Sequence, residues 1–476
     1  MLKNFRNTNV ILGALLGSMV YMPSNAYAGQ VPFGPVYTPI DSSATVNNST
    51  IAIPGNNIGD AKNNAKASNP TVVRMTDPVE IGRANHYLKH RHDRSDIRQS
   101  LKTASGRIID CVDVNSQPAV VNNPSLAGSP IPLAPHIAQP KAHVTPAASI
   151  VEPLLDNEGV HVAGCQDGTV PILQVTASDL SRFATLDDFF AKVPSHIGKA
   201  ALLPKAGIQP PYHWGPSSQH QYAHAYRNVT NWGASSTINV WNPSTELNSE
   251  FSLSQIWVVG GSGAGLQTLE VGTQKYRDLY GDYNPHLFIY STNGGYASGT
   301  GCYNNTCGDF VQVSSTIYPG ATLASSTYNG TQYEYTMQWF KDMDGGAWWL
   351  NVQGTWVGYY PRARYSTAGV ANRAAEIDFG GEIIDNRNLG LHTSTDMGSG
   401  QFPSAWWQKA AYQRLIKYNY TTTTNPNTVW NTPATGLTAT RSDAACYDIS
   451  GPYYGDPTWG SYFFFGGPGY DWNNCH

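Results

Sequence analysis

Two glutamates, Glu270 and Glu382, are the residues of this 476-residue chain best placed to do chemistry. From residue 220 onward there are six glutamates: Glu246, Glu250, Glu270, Glu334, Glu376 and Glu382. Glu270 lies in Leu-Gln-Thr-Leu-Glu-Val-Gly-Thr and Glu382 in Glu-Ile-Asp-Phe-Gly-Gly-Glu-Ile-Ile. Strand alternation puts Leu269 and Val271 on one face and Glu270 with Gly272 on the other. Likewise Ile377, Phe379 and Ile383 share a face, opposite Glu376, Asp378, Gly380 and Glu382. A glycine two residues from each carboxylate leaves room for a ligand backbone to approach. Two carboxylates across one cleft can hydrolyse a bond without a metal, because like charges in proximity keep one of them protonated. The ionised partner then activates water and the protonated one donates to the carbonyl oxygen or leaving group. On pattern alone, two solvent-facing strand residues remain the simpler reading.

Other chemistry is poorly represented. H-E-x-x-H, G-x-S-x-G, a P-loop and a strand-linked G-x-G-x-x-G are absent. His86, His90 and His92 read as a solvated helix face, and no metal or cofactor is expected. Trp257, Tyr280, Trp339, Trp348 and Trp349 could line a substrate site, although ordinary sandwich core is the competing reading for each. The net charge is −4, which recommends neither nucleic acid nor an anionic membrane as partner.

The elements that must position the glutamates are short. Alternating apolar and aromatic runs at 237–241, 253–259, 266–271, 286–292, 309–314, 333–340, 347–352, 355–360 and 376–384 are separated by Gly, Asn and Asp. They predict an all-β domain over 220–476, an antiparallel β-sandwich of jelly-roll or lectin-like type. Upstream, Lys3 and Arg6, an apolar run from Val10 to Val20 and Ala26-Tyr27-Ala28 read as a signal peptide over 1–28. A secreted or periplasmic protein, free of the membrane after signal removal, follows. Residues 29–75 read as a disordered leader. Residues 76–196 form a small, loosely packed α+β module, with a helix over 77–104 carrying Ile81, Ala84 and Leu88 on one face. Strands follow at 106–114 and 169–175, and a helix around 178–192. Prolines mark a linker over 197–219. Six cysteines in an exported chain suggest disulfides. Sequence position favours Cys302–Cys307 around a tight turn and Cys446–Cys475 stapling the tail, leaving Cys111–Cys165.

The chain resembles the neprosin family of glutamic peptidases from about residue 77 onward. Gly106-Arg-Ile-Ile-Asp-Cys-Val-Asp113, Gln117-Pro-Ala and Gly164-Cys-Gln-Asp-Gly-Thr-Val-Pro-Ile172 resemble its activation peptide. Ala234–Pro243, Phe251–Trp257, Tyr280-Gly-Asp282, Thr300–Asn304, Gly380-Gly-Glu382 and His392–Gly400 followed by Phe402-Pro403 resemble its catalytic part. The resemblance implies that Glu270 and Glu382 are the catalytic pair and that the working conditions are acidic. It also implies cleavage after proline in protein or peptide substrates. The 76–196 module would be an inhibitory pro-domain and the linker a self-processing site. Nine of the 13 histidines lie between His86 and His220, so their protonation, and that of interface carboxylates, would loosen the pro-domain in acid. A carbohydrate-binding or glycoside-hydrolysing β-sandwich is the alternative.

Overall fold

The computed structural model describes residues 75–91, 96–126, 128–136, 152–192, 220–343, 346–386, 392–421 and 430–475. All belong to one compact unit, Asn57–His476. The expected signal peptide, almost all of the leader, and the linker lie outside the described residues. No helix among the described residues is long and apolar enough to cross a membrane.

The alternating runs pair into two antiparallel sheets. Their strands are β6 His220–Asn231, β7 Gly233–Asn239, β8 Phe251–Gly260, β9 Gln267–Tyr276, β10 His286–Thr292, β11 Gly301–Tyr303, β12 Val311–Gln312, β13 Glu334–Lys341, β14 Trp348–Val352, β15 Thr355–Tyr360, β16 Ala374–Ile384, β17 Ala411–Tyr420, β18 Trp430–Pro433, β19 Thr438–Arg441, β20 Asp448–Asp456 and β21 Gly460–Gly466. One sheet runs β11-β10-β9-β8-β16-β6-β19; the other runs β12-β15-β14-β13-β7-β17-β21-β20, with β18 on β17. Ile256, Val258, Leu269, Val271, Ile377, Phe379 and Ile383 of the first sheet join Ile238, Met337, Trp339, Leu350 and Phe465 of the second in one core. The fold is therefore an antiparallel β-sandwich in which each inner face is buried by the other.

The N-terminal module differs from its sequence reading in several places. Helix α1 spans Pro78–His90 only, started by the Asp77 carboxylate, which accepts from Val79 N at 2.8 Å. The second half of the predicted helix is strand β1, Ile97–Lys102, held in antiparallel register by β2, Ile108–Asp113. Tertiary pairing outweighs local propensity there. Ile81 is exposed, while Ala84 is buried and Tyr87 and Leu88 are partly so. After a short helix α2, Pro118–Val121, the helix expected around 178–192 is two short ones, α3 Ala177–Leu180 and α4 Leu186–Phe190, each begun by a threonine cap, Thr176 or Thr185. A five-stranded sheet, completed by β3 Leu154–Leu155, β4 His161–Val162 and β5 Thr169–Leu173, replaces the expected loose packing. Cys111 and Cys165 are disulfide-bonded across it.

This module covers the outer face of the first sheet. Leu180, Phe183, Leu186 and Phe189 pack on Phe251, Leu253, Tyr276, Phe288, Tyr290 and Tyr303. Each buried phenylalanine contributes on the order of 2 kcal/mol of apolar transfer. Polar contacts fix the docking. Gln117 donates to Gln312 O at 2.9 Å and accepts from Gln312 N at 2.7 Å, as a neighbouring strand would. Arg182 Nε donates to Asp278 O at 2.6 Å, and Arg107 to Tyr280 O.

Two buried carboxylates, Glu250 and Glu376, favour the folded sandwich in acid, while buried Lys341, lowered to about 7, works in the opposite sense. Burial raises Glu250 to about 7, although Thr395, Asn386 N and Thr393 donate to it. Burial and the neighbouring Asp378 raise Glu376 to about 8. The folded chain thus holds protons that the unfolded chain releases above about pH 4.5. Stability from the two carboxylates is full in acid and falls as pH rises through 7 and 8. Thermal unfolding should occur several degrees higher at pH 5 than at pH 8, and Glu376→Gln should flatten that slope. A melting temperature that rises with pH would contradict this.

Candidate active site

Register explains how the two glutamates meet. β8 lies between β9 and β16, with Trp257 opposite Glu270 on one side and Asp378 on the other. Gln255 faces Gly272 and Gly380, and Leu253 faces Glu382. Because Leu269, Val271, Phe379 and Ile383 point into the core, both carboxylates project from the opposite face of the sheet. That face is not open to solvent. Glu270 is 0% and Glu382 1% exposed, so neither is a solvent-facing strand residue.

Lys192, just beyond α4, bridges them. Its Nζ lies 2.6 Å from Glu270 Oε2 and 2.7 Å from Glu382 Oε2. The two oxygens are therefore no more than about 5.3 Å apart across the ammonium. The ammonium also lies 5.5 Å from the Trp257 ring centroid, a cation–π contact, and Lys192 N donates to the Tyr290 hydroxyl at 3.4 Å. The two carboxylates otherwise differ in their partners. Glu270 Oε1 accepts from Tyr296 Oη at 2.6 Å and Thr268 Oγ1 at 2.9 Å. Glu382 Oε1 lies 2.5 Å from His220 Nδ1, and its Oε2 accepts from Gln255 Nε2 at 2.8 Å.

These surroundings split the pair. Burial, with Glu382 nearby, raises Glu270 above the ordinary carboxylate value even though Lys192 and Tyr296 act against the rise. Burial acts the same way on Glu382, but Lys192 and His220 outweigh it and hold that carboxyl low. Burial works against the Lys192 charge, yet both glutamates keep it protonated. Two carboxyls of unequal proton affinity on the same face can serve as acid and base.

The remaining sequence candidates separate. Trp257 adjoins the pair. Trp339 and Trp348 lie in the inter-sheet core, with Trp348 Nε1 donating to Val370 O. Trp349 packs on Tyr359 and Trp356 of the adjacent strand in its own sheet, under Ala119 and Val120. Tyr280 stacks on His286, with ring centroids 4.0 Å apart, beneath the N-terminal module. Trp339, Trp348 and Trp349 are thus structural, because their strands turn them into packed layers. The glycines are also not ligand space. A Cβ on Gly272 would sit 2.0 Å from Ser254 O, and one on Gly380 would sit 2.5 Å from His224 Cα, so both admit neighbouring strands. Disulfides Cys302–Cys307 and Cys446–Cys475 form alongside Cys111–Cys165. They occupy the cysteines of the two groupings close enough to suggest a metal, with Asp309 and with His392.

Sequence reasoning missed Lys192, His220, Gln255 and Tyr296. For Lys192 the one available signal was a lysine ending the apolar run Phe189-Phe190-Ala191. For Gln255 it was its place between Leu253 and Trp257 on a strand that had been predicted.

A β-sandwich whose outer face carries a buried acid pair under an N-terminal cover defines the class of molecule. Residues 248–468 match the family model Neprosin. Among solved structures, a scytalidoglutamic peptidase with a peptide-based transition-state analogue is 13% identical, over 52% of this chain and 97% of that one, with TM-score 0.26. SCP-B, an eqolisin-family peptidase with a tripeptide, is 12% identical over 52% and 97%, TM-score 0.24. The chicken-liver agglutinin CG-16 is 10% identical over 34% and 93%, TM-score 0.19. Scores this low add nothing to the geometry of the site.

Gly272→Ala should force β8 away from β9 and displace Gln255 and Glu270 together. A destabilisation of about 1–3 kcal/mol is expected in denaturant unfolding. An unchanged midpoint would show that the strands have slack here.

Proposed function

We propose that the chain is the latent precursor of an acid-active glutamic endopeptidase that cleaves after proline, with Glu270 and Glu382 activating water. The observation that carries this reading is the Lys192 bridge. A cation from the covering module occupies the space between two carboxylates in the stretch that matches Neprosin. A pair built to act on substrate is neutralised by the cover that excludes substrate. Glu382, which keeps His220 beside it when Lys192 is gone, is taken as the base, and Glu270, which keeps Tyr296 and Thr268, as the acid. Residues 76–196 are the pro-domain, 197–219 contain the processing site and 220–476 are the catalytic domain of an exported protein.

Acid acts on the cover through carboxylates. Glu270, raised above the ordinary value, takes up its proton first as pH falls, which weakens one half of the bridge. Glu382 is depressed, so its half is present above the unfolded value of about 4.3 and is lost as pH falls through its lowered one. Asp179 follows the same sign: burial opposes ionisation, but Arg107, Thr176 N and Arg182 hold it low. His136 of the cover faces Asp342 at 2.8 Å, and His220 faces Glu382 within the sandwich.

An oxygen separation of no more than about 5.3 Å also suits a retaining glycosidase. The Neprosin match favours the peptidase.

Purified precursor should remain intact at pH 7 and convert itself below about pH 4.5. Glu270→Gln and Glu382→Gln should stay uncut and should not cleave a proline-containing peptide; conversion by either would remove that residue from the reaction. A polysaccharide incubated in parallel should remain intact, and its hydrolysis would replace the peptidase reading. Lys192→Met keeps the apolar stem but deletes the bridge, a loss of about 3–5 kcal/mol from a buried ion pair. That precursor should convert at a higher pH than the wild type. Conversion at the same pH would show that Lys192 does not maintain latency.

A further inference from the structure

The two neighbouring strands β6 and β16 repeat one arrangement. In their register His220 is opposite Ile384, Tyr222 opposite Glu382, His224 opposite Gly380, and Tyr226 opposite Asp378. Each histidine reaches diagonally to the carboxylate two residues along the partner strand: His220 to Glu382 at 2.5 Å and His224 to Asp378 at 2.6 Å. Gly380 permits the second pair, since its missing Cβ would collide with His224. The inner pair has a structural setting, with His224 beside Trp257 and Tyr226. The outer pair holds one of the two glutamates on which the proposed reaction rests.

His220 is 7% exposed, stacked beside Tyr222 and edge-on to Phe251. Its Nε2 is buried and makes no hydrogen bond among the described residues, so the carboxylate fixes the ring through Nδ1 alone. Gln255 grips the second oxygen of Glu382, and its own Oε1 is also buried without a hydrogen bond. Among the described residues, the charged and titratable groups around Glu382 include Lys192 from the cover, Glu270 across β8, Tyr222 and His220 on β6, Asp378 further along its own strand, and the more distant Tyr296 and Tyr303. When the cover leaves, Lys192 goes with it. His220 is then the remaining cation-forming group in contact with Glu382 among the described residues.

We infer that His220 is a positioning residue for Glu382, replacing Lys192 as the group that orients this carboxylate and keeps it ionised in the uncovered enzyme. The inference rests on the peptidase reading above and deepens it. An imidazolium beside a carboxylate favours its charged form, so the base stays usable at a pH where an unassisted buried glutamate would be protonated. Orientation matters separately, because a base displaced by about 1 Å loses on the order of 100-fold in rate.

Two substitutions separate charge from orientation. His220→Asn retains a donor near the Nδ1 position without the charge, and His220→Leu removes both. With acid-converted enzyme and a proline-containing peptide, His220→Leu should lower kcat about 10- to 100-fold with little change in KM. His220→Asn should recover much of that kcat. In both, the acidic limb of the kcat profile should move up by about one pH unit. A second reading avoids dependence on conversion. In the precursor carrying Glu270→Gln, adding His220→Asn should raise the pH at which residues 177–192 lose hydrogen-exchange protection. An acidic limb that stays in place, or a kcat loss that merely follows melting temperature, would overturn the inference. Those results would leave the peptidase reading intact, because that reading fails if the Glu270→Gln or Glu382→Gln proteins remain active or if the polysaccharide is hydrolysed.

Discussion

One buried ammonium between two carboxylates organises this molecule. Three ionisable groups with almost no exposure would be untenable separately, since each buried charge costs several kcal/mol to desolvate. Together they are tolerable because Lys192 meets both glutamates and the remaining carboxylate oxygens find Tyr296, Thr268, His220 and Gln255. The rest of the fold follows from keeping that cluster assembled. β8 must lie between β9 and β16 to set the spacing, and the inner faces must bury themselves so that the outer face can carry charge. The N-terminal module must dock firmly enough to deliver one lysine.

Docking uses devices of different physical kinds. Phe183 and Phe189 supply apolar burial that is insensitive to pH. Gln117 substitutes for a strand edge at Gln312, satisfying backbone groups that would otherwise be buried without partners. Arg107 and Arg182 tie Asp179 to the carbonyls of residues 278–280. The last set and the lysine bridge lose strength in acid. The sandwich itself, with Glu250 and Glu376 preferring their protons, gains strength there. One change in pH therefore pushes the cover and the domain it covers in opposite directions.

Much of this was legible in the residues. Alternation assigned Glu270 and Glu382 to the face opposite Val271 and Phe379, and strands such as His286–Thr292 and Thr355–Tyr360 were marked to the residue. What alternation lacks is register. Nothing within β9 or β16 says that a single strand separates them, or which residues stand level. Lys192 was hidden for a related reason: it meets Glu270 across 78 positions of chain, and its meaning lies wholly in that contact. β1 was read as helix because residues 97–102 have no period of their own; the β2 edge decides them. The glycines were read as space for a ligand when their neighbours are other strands of the same sheet. His220 and its strand were missed because His-Gln-Tyr-Ala-His-Ala-Tyr places polar and aromatic groups on the face that would ordinarily be wet.

The three disulfides have a consequence for what happens after a cut in the linker. Cys111–Cys165 closes within the N-terminal module, while Cys302–Cys307 and Cys446–Cys475 close within the sandwich. None joins the two. Severing the chain anywhere between 193 and 219 turns an intramolecular contact, formed at fixed effective concentration, into an ordinary bimolecular equilibrium. The freed module would keep its own cross-link, Cys111–Cys165. Its hold on the carboxylate pair would then depend on dilution, so under the proposed function one covering surface would be shared among many chains.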